Sequence, residues 1–115
     1  MEHTNFIPRK FSEVTPSMIQ DWKAKHNLTS LEQIDIINDG VTYSFIIKKP
    51  SRTAVDLMAQ KGIDREVVET NKILIANTVL GGDLDAMEAD GGIYQALLQK
   101  LTLKVKDYQA TVKKL

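Results

Sequence analysis

Two hydrophobic periods divide the chain. From Gln33 to Ile47 apolar and polar residues largely alternate, and from Arg52 onward apolar residues recur every three or four positions. The first period is that of half-buried strands, and Asn38-Asp39-Gly40 interrupts it. Asp-Gly favours a type I′ turn, so the spacing predicts a two-residue hairpin loop at Asp39-Gly40. That loop pairs Asn38 with Val41, Ile36 with Tyr43 and Ile34 with Phe45. Ile34, Ile36, Tyr43, Phe45 and Ile47 then share one face, which is the expected core side. Gln33, Asp35, Thr42 and Ser44 share the other, with Ile37 and Ile46 as apolar exceptions that invite cover from another strand or a partner.

A helix is expected before the hairpin. Thr15 can cap it, Pro16 sits at its first position, and Val14 and Ile19 have the spacing of a hydrophobic staple. Met18, Ile19, Trp22 and His26 recur at helical spacing, with Trp22 the expected main core contact and His26 near the terminal carbonyls.

After the hairpin, Pro50 ends the second strand and Ser51 can cap a helix over about 52–61. Ala54, Val55, Leu57 and Met58 are its expected inward residues, and Gly62 its stop. Asp64 is the expected cap of a further helix to about Leu80, with Val67, Val68, Asn71, Leu74, Ile75 and Val79 on its apolar side. Gly81-Gly82 should stop that helix, and Asp83 can cap the next one. The acidic stretch Asp83–Asp90 fits a single helical turn or a loop with Leu84 and Met87 as apolar contacts.

From Gly91 to Leu115 the apolar residues Ile93, Leu97, Leu101, Val105, Tyr108, Val112 and Leu115 step by three or four, with Tyr94 and Leu98 widening the stripe. One helix of that length would run roughly 35 Å. A domain of this size has a radius of gyration near 13 Å, so the distal half is expected to project or to pack on another subunit, unless the helix frays after Lys104.

The expected architecture is therefore α+β: an N-terminal helix, a two-stranded antiparallel β-hairpin, then three to four helices with a long C-terminal one. Residues 14–115 form the single domain. Residues 1–13, with Phe6, Ile7 and Phe11 around Arg9-Lys10, form a flexible or docking arm.

Composition narrows the chemistry. The chain has 115 residues, 43% of them hydrophobic, with fifteen basic and fifteen acidic side chains and no cysteine. One core is expected. Neutral net charge gives no pull toward nucleic acid, and no apolar run reaches the roughly 18 residues of a membrane span. The polar start Met1-Glu2-His3-Thr4-Asn5 lacks a signal-peptide core, so a cytoplasmic location is expected. Thiolate catalysis and zinc–sulfur sites are excluded.

The remaining motifs carry no catalysis. A calcium loop beginning at Asp83 would need a ligating side chain where Met87 stands, glycine at Glu88 and glutamate at Tyr94, so the acidic run reads as a solvated helix start. His3 and His26 have no metal-ligand spacing, no serine lies in a nucleophile elbow, and the glycine pairs lie outside a phosphate cradle. Arg9-Lys10, Lys48-Lys49 and Lys113-Lys114 are scattered pairs rather than a stripe. No catalytic, cofactor or metal residue is expected, and an enzyme is disfavoured. What remains is apolar surface, which points to protein binding through Ile37 and Ile46 on the outer hairpin face and Tyr108, Val112 and Leu115 on the distal helix.

Several segments, in order, carry a resemblance. They are Trp22-Lys23-Ala24-Lys25-His26, Ile34-Asp35-Ile36 with Asp39-Gly40, Tyr43-Ser44-Phe45 followed by Lys49-Pro50, and Leu74 to Asp83 with Asn77 and Leu80-Gly81-Gly82-Asp83. Asp90 ahead of Tyr94 and Ala96, and the terminal Lys-Lys-Leu, complete the set. Together they resemble short prophage proteins of Bacteroides-type bacteria, encoded among tail genes, that are similar to phage tail assembly chaperones. Asn27 stands where a glycine often ends the first helix, and Thr78 where an aromatic often stands. The resemblance implies a cofactor-free chaperone that coats the tape-measure protein and brings tail-tube subunits to it, in the host cytoplasm, with self-association through the C-terminal helix as a further expectation. A structural virion component, such as a head–tail connector or minor tail protein, and a small protein-binding regulator are the alternatives.

Overall fold

The hairpin forms in the register its spacing predicts. Strands β1 (Glu32–Asn38) and β2 (Val41–Ile47) pair antiparallel, with Ile34 opposite Phe45, Ile36 opposite Tyr43 and Asn38 opposite Val41. Asp39 and Gly40 both have positive φ, 53° and 77°, as a type I′ turn requires. The computed structural model describes residues 7–106 and 110–115. His3, Phe6 and Tyr108, and the side chain of Val105, lie outside the described residues.

The fold is α+β, with a three-stranded antiparallel sheet of order β1-β2-β3. The third strand, β3 (Val79–Gly82), corrects the expectation of a bare hairpin: Gly81-Gly82 is not a helix stop but a strand. It runs straight out of helix α3 (Val67–Thr78) with no intervening loop. Phe45 pairs with Gly82, Ile46 with Gly81 and Ile47 with Val79, so Leu80 bulges out of register. Gly82 explains why so weak a strand former pairs at all. Its φ is 132°, and a Cβ there would stand 2.3 Å from the Ser44 carbonyl oxygen and 2.7 Å from Phe45 Cα. Only a residue without a side chain lets the two backbones meet.

The N-terminal helix α1 (Pro16–Lys25) starts as expected, with Thr15 Oγ1 accepting from the Met18 N–H at 3.2 Å. It ends on a Schellman motif. Leu28 N–H donates to Lys23 O and Asn27 N–H to Ala24 O, with Asn27 at φ 54° in the glycine-like position. No residue of α1 is fully buried, and Trp22 lies outside the core cluster, against the expectation that it is the main core contact.

Helix α2 (Arg52–Ile63) is capped by Ser51, whose Oγ accepts from the Ala54 N–H. It runs past Gly62. The stop is again a Schellman motif, with Arg65 at φ 60°, Arg65 N–H on Gly62 O and Glu66 N–H on Lys61 O. Asp64 is therefore the C-cap of α2 and not the N-cap of α3. Helices α2 and α3 pack chiefly on each other. As a result Ala54, Leu74 and Thr78 are buried, while Val55, Leu57, Val67 and Val68 are exposed and not inward as their spacing suggested.

Helix α4 (Leu84–Ala89) buries Leu84 and Met87. Helix α5 (Gly91–Lys106) is capped by Asp90, which accepts from the N–H groups of Gly92 and Ile93. It spans 16 residues, and residues 110–115 are not helical, so the expected helix to Leu115 is shortened. Near the end of α5, Lys104 pairs with Glu32 of β1. The core gathers Ile34, Phe45, Ile47, Leu74, Leu84, Met87, Ile93, Leu97, Leu98 and Leu101, with Ile36 and Tyr43 packed against it. The predicted inner face of the hairpin is thus the sheet's contribution to the core. Among the described residues no helix is long and apolar enough to cross a membrane.

Candidate functional site

Tyr108 lies outside the described residues, and the other four predicted contact residues do not form one exposed patch. Ile37, next to the hairpin turn, is 72% exposed, while Val112 and Leu115 stand fully open in the non-helical C-terminal segment. Ile46 is withdrawn from the surface at 4% exposure. Its cover comes from the same chain: it pairs with Gly81, and Pro8 and Trp22 stand over Gly81 on that face. The outer sheet face is therefore closed at its β3 side and open at the β1 turn.

A different apolar surface is present at the α2–α3 turn, and helical spacing had placed much of it inward. Ile63, Val67 and Val68 are 75%, 67% and 65% exposed, and Leu57 and Val55 extend the surface along α2. Its charged neighbours are paired locally, Lys61 with Glu66 and Arg52 with Asp56. Helical periodicity alone could not reveal it, because spacing says which residues share a face and not whether anything covers that face.

The arm lies on its own chain over residues 7–13. Pro8 is fully buried, and residues Phe11–Glu13 form a 3-10 turn. Arg9 Nε donates to Asp85 Oδ1 at 2.8 Å and Arg9 Nη2 to Glu88 Oε1 at 2.5 Å. Glu88 and then Asp85 hold the guanidinium protonated even more firmly than usual. Glu13 accepts from the Arg9 and Lys10 N–H groups.

The acidic run thus has three separate duties. Asp85 and Glu88 hold Arg9, and Asp90 caps α5. Asp83 does not cap its helix by its side chain: its carboxylate accepts from Phe11 N–H at 2.9 Å and from Ser44 N–H at 2.8 Å. Its own N–H donates to Ser44 O, so Asp83 clasps β2 from both main chain and side chain while holding the arm.

Two further polar knots fix the loops. Asn77 Oδ1 accepts from Ser51 N–H and Lys48 Nζ, and its Nδ2 donates to Ser51 Oγ, tying the end of α3 to the start of α2. Burial lowers the Lys48 pKa. Asp35, bonded by Gln33 and by the Ser44 hydroxyl, has its pKa lowered by those two bonds. His26 is pushed below its ordinary value by desolvation, then by Lys48 and Lys25.

A cleft of about 480 Å³ opens between α3 and α5, lined by Asn71, Gln95, Leu98, Lys100 and Leu103 among others. Its hydroxyl, Thr102, donates to the Leu98 carbonyl. Among the described residues no group of three or more His, Asp or Glu converges as metal ligands would. No family model, no curated protein and no solved structure matches the chain.

Proposed function

We propose that this protein is a non-enzymatic binding module that holds another protein during assembly. In its most specific form it is a chaperone of phage tail assembly, acting on the tape-measure or tail-tube protein in the host cytoplasm. The observation that carries the reading is the apolar rim of the α2–α3 turn, where Ile63, Val67 and Val68 stand exposed within six residues of sequence. Side chains of this kind add little to the stability of an isolated chain when left in water, and their burial against a partner removes apolar area worth about 25 cal/mol per Å². The ordered motifs from Trp22 to the terminal Lys-Lys-Leu support the tail-assembly form by resemblance.

The reading is tested by co-expression with a phage tape-measure protein and a phage tail-tube protein. Capture of either should be lost in a Val67→Asp/Val68→Asp variant whose circular dichroism is unchanged. A chaperone should also be absent from purified particles. Finding the chain in them by mass spectrometry would assign it instead as a structural virion component.

A further inference from the structure

Three residues of the arm, Pro8, Arg9 and Phe11, are held as a bound peptide is held. Pro8 sits in an apolar slot whose floor is Gly81, where an added Cβ would come within 2.9 Å of both Pro8 Cγ and Trp22 Cη2. Arg9 O accepts from the Asp85 N–H at 3.3 Å, and Phe11 N–H donates to Asp83 Oδ1. The Arg9 guanidinium reaches Asp85 and Glu88. Main-chain bonds fix the backbone on either side of the bend at Arg9 and Lys10, a slot lacking a Cβ admits the proline ring beside an aromatic wall, and two carboxylates select a basic residue. Each element of recognition reads a different feature of one short segment.

The segment is also poised to leave. It joins α1 only through Val14 and Thr15, both extended. Arg9, Asp85 and Glu88 are all about half exposed, so their ion pairs are screened by salt and exchange with water. Ile7, just before the slot, is 56% exposed.

We propose that Gly81, Trp22, Asp83, Asp85 and Glu88 form a peptide-binding site for an apolar–proline–basic segment of another protein. The chain's own Ile7-Pro8-Arg9 fills that site until the partner's segment displaces it. The proposal goes beyond the function above and does not depend on which protein is bound. A tethered arm competes at an effective concentration on the order of millimolar, so disabling it should raise the affinity for a free peptide about tenfold or more.

The probe is a synthetic peptide with the sequence of residues 5–14, titrated into the full chain and into a full-length Pro8→Asp/Arg9→Glu variant. Trp22, the only tryptophan, reports through its emission. The arm-disabled chain should bind the peptide about tenfold or more tighter than the unmodified chain, and a peptide carrying Arg9→Glu should bind neither. Absence of binding to a variant with native circular dichroism would overturn the proposal. So would dimer formation by the unmodified chain, through exchange of arms, without peptide uptake. Should the variant not fold, the unmodified chain decides. At peptide in about tenfold excess over the arm's effective concentration, the amide resonances of Arg9 and Phe11 should move toward those of an undocked segment while those of Ile34 and Leu97 stay. Arg9 and Phe11 resonances that do not move refute displacement.

Discussion

The sheet with α5 and the α2–α3 hairpin are built from the same kind of amphipathic pattern, yet one is sealed and the other is not. Phe45 and Leu97 are fully buried where the sheet meets α5, and Ile47 and Leu101 are nearly so. On α2 only Ala54 is buried, and Ile63 is 75% exposed. The difference lies in what each element packs on. A strand face and a helix stripe close on each other along their centres, whereas two short helices that pack mainly on one another leave their remaining apolar side chains without a partner. Apolar pattern is thus a necessary condition for burial and not a sufficient one. The uncovered remainder is where binding is to be sought.

The comparison breaks most severely at Gly82. A Gly82→Val substitution puts a branched side chain at φ 132° and against the Ser44 carbonyl, and should cost about 3 kcal/mol or more by separating β3 from β2. Denaturant unfolding checks it, and a loss below about 1 kcal/mol would show that β3 can shift away at little cost. Next come two leucines of opposite surroundings. Leu97→Ala should lower stability by about 2–5 kcal/mol, while Leu57→Ala, at 48% exposure, should change it by about 0.5 kcal/mol or less. Equal losses in thermal melts of the two variants would erase the contrast between the regions. The smallest effect is a gain. Arg65 holds φ 60° at the end of α2, a conformation glycine adopts without steric cost, so Arg65→Gly should stabilise by about 0.5–1 kcal/mol. A lower melting temperature would mean that the arginine side chain contributes more than its backbone strain costs.

Much of the fold was legible in residues that act locally. Asp39-Gly40 set the turn, and with it every pair from Asn38–Val41 to Ile34–Phe45. Thr15 and Ser51 marked two helix starts through a hydroxyl three residues from the N–H it accepts. Helix ends were less legible. Asn27 and Arg65 take the left-handed position that a sequence pattern assigns to glycine, because the two Schellman bonds at each helix end offset the strain of a side-chain-bearing residue there. The third strand was invisible: it is four residues long, half glycine, and continuous with a helix, so neither propensity nor period signals it.

The candidate sites were less legible still. Ile46 looked available because its face of the hairpin was otherwise polar, and it is closed off by β3, Pro8 and Trp22. The docking partners of Arg9 lie 76 and 79 positions away in Asp85 and Glu88, a distance no local pattern spans. The acidic run could be read as charge near a helix start, but not as three carboxylate functions aimed at the arm, at β2 and at α5.

By itself the sequence determined the α+β class, the hairpin register, the inner face of the sheet and the starts of α1 and α2. Each of these rests on steric and hydrogen-bonding preferences within a few residues. Only the tertiary structure decided that Gly81-Gly82 is a strand, that Asp83 is a clasp, that residues 7–13 of the arm lie docked in their own chain, and that Ile63, Val67 and Val68 remain uncovered. Those outcomes depend on which surfaces meet across long sequence separations, and apolar periodicity carries no information about the element on the other side.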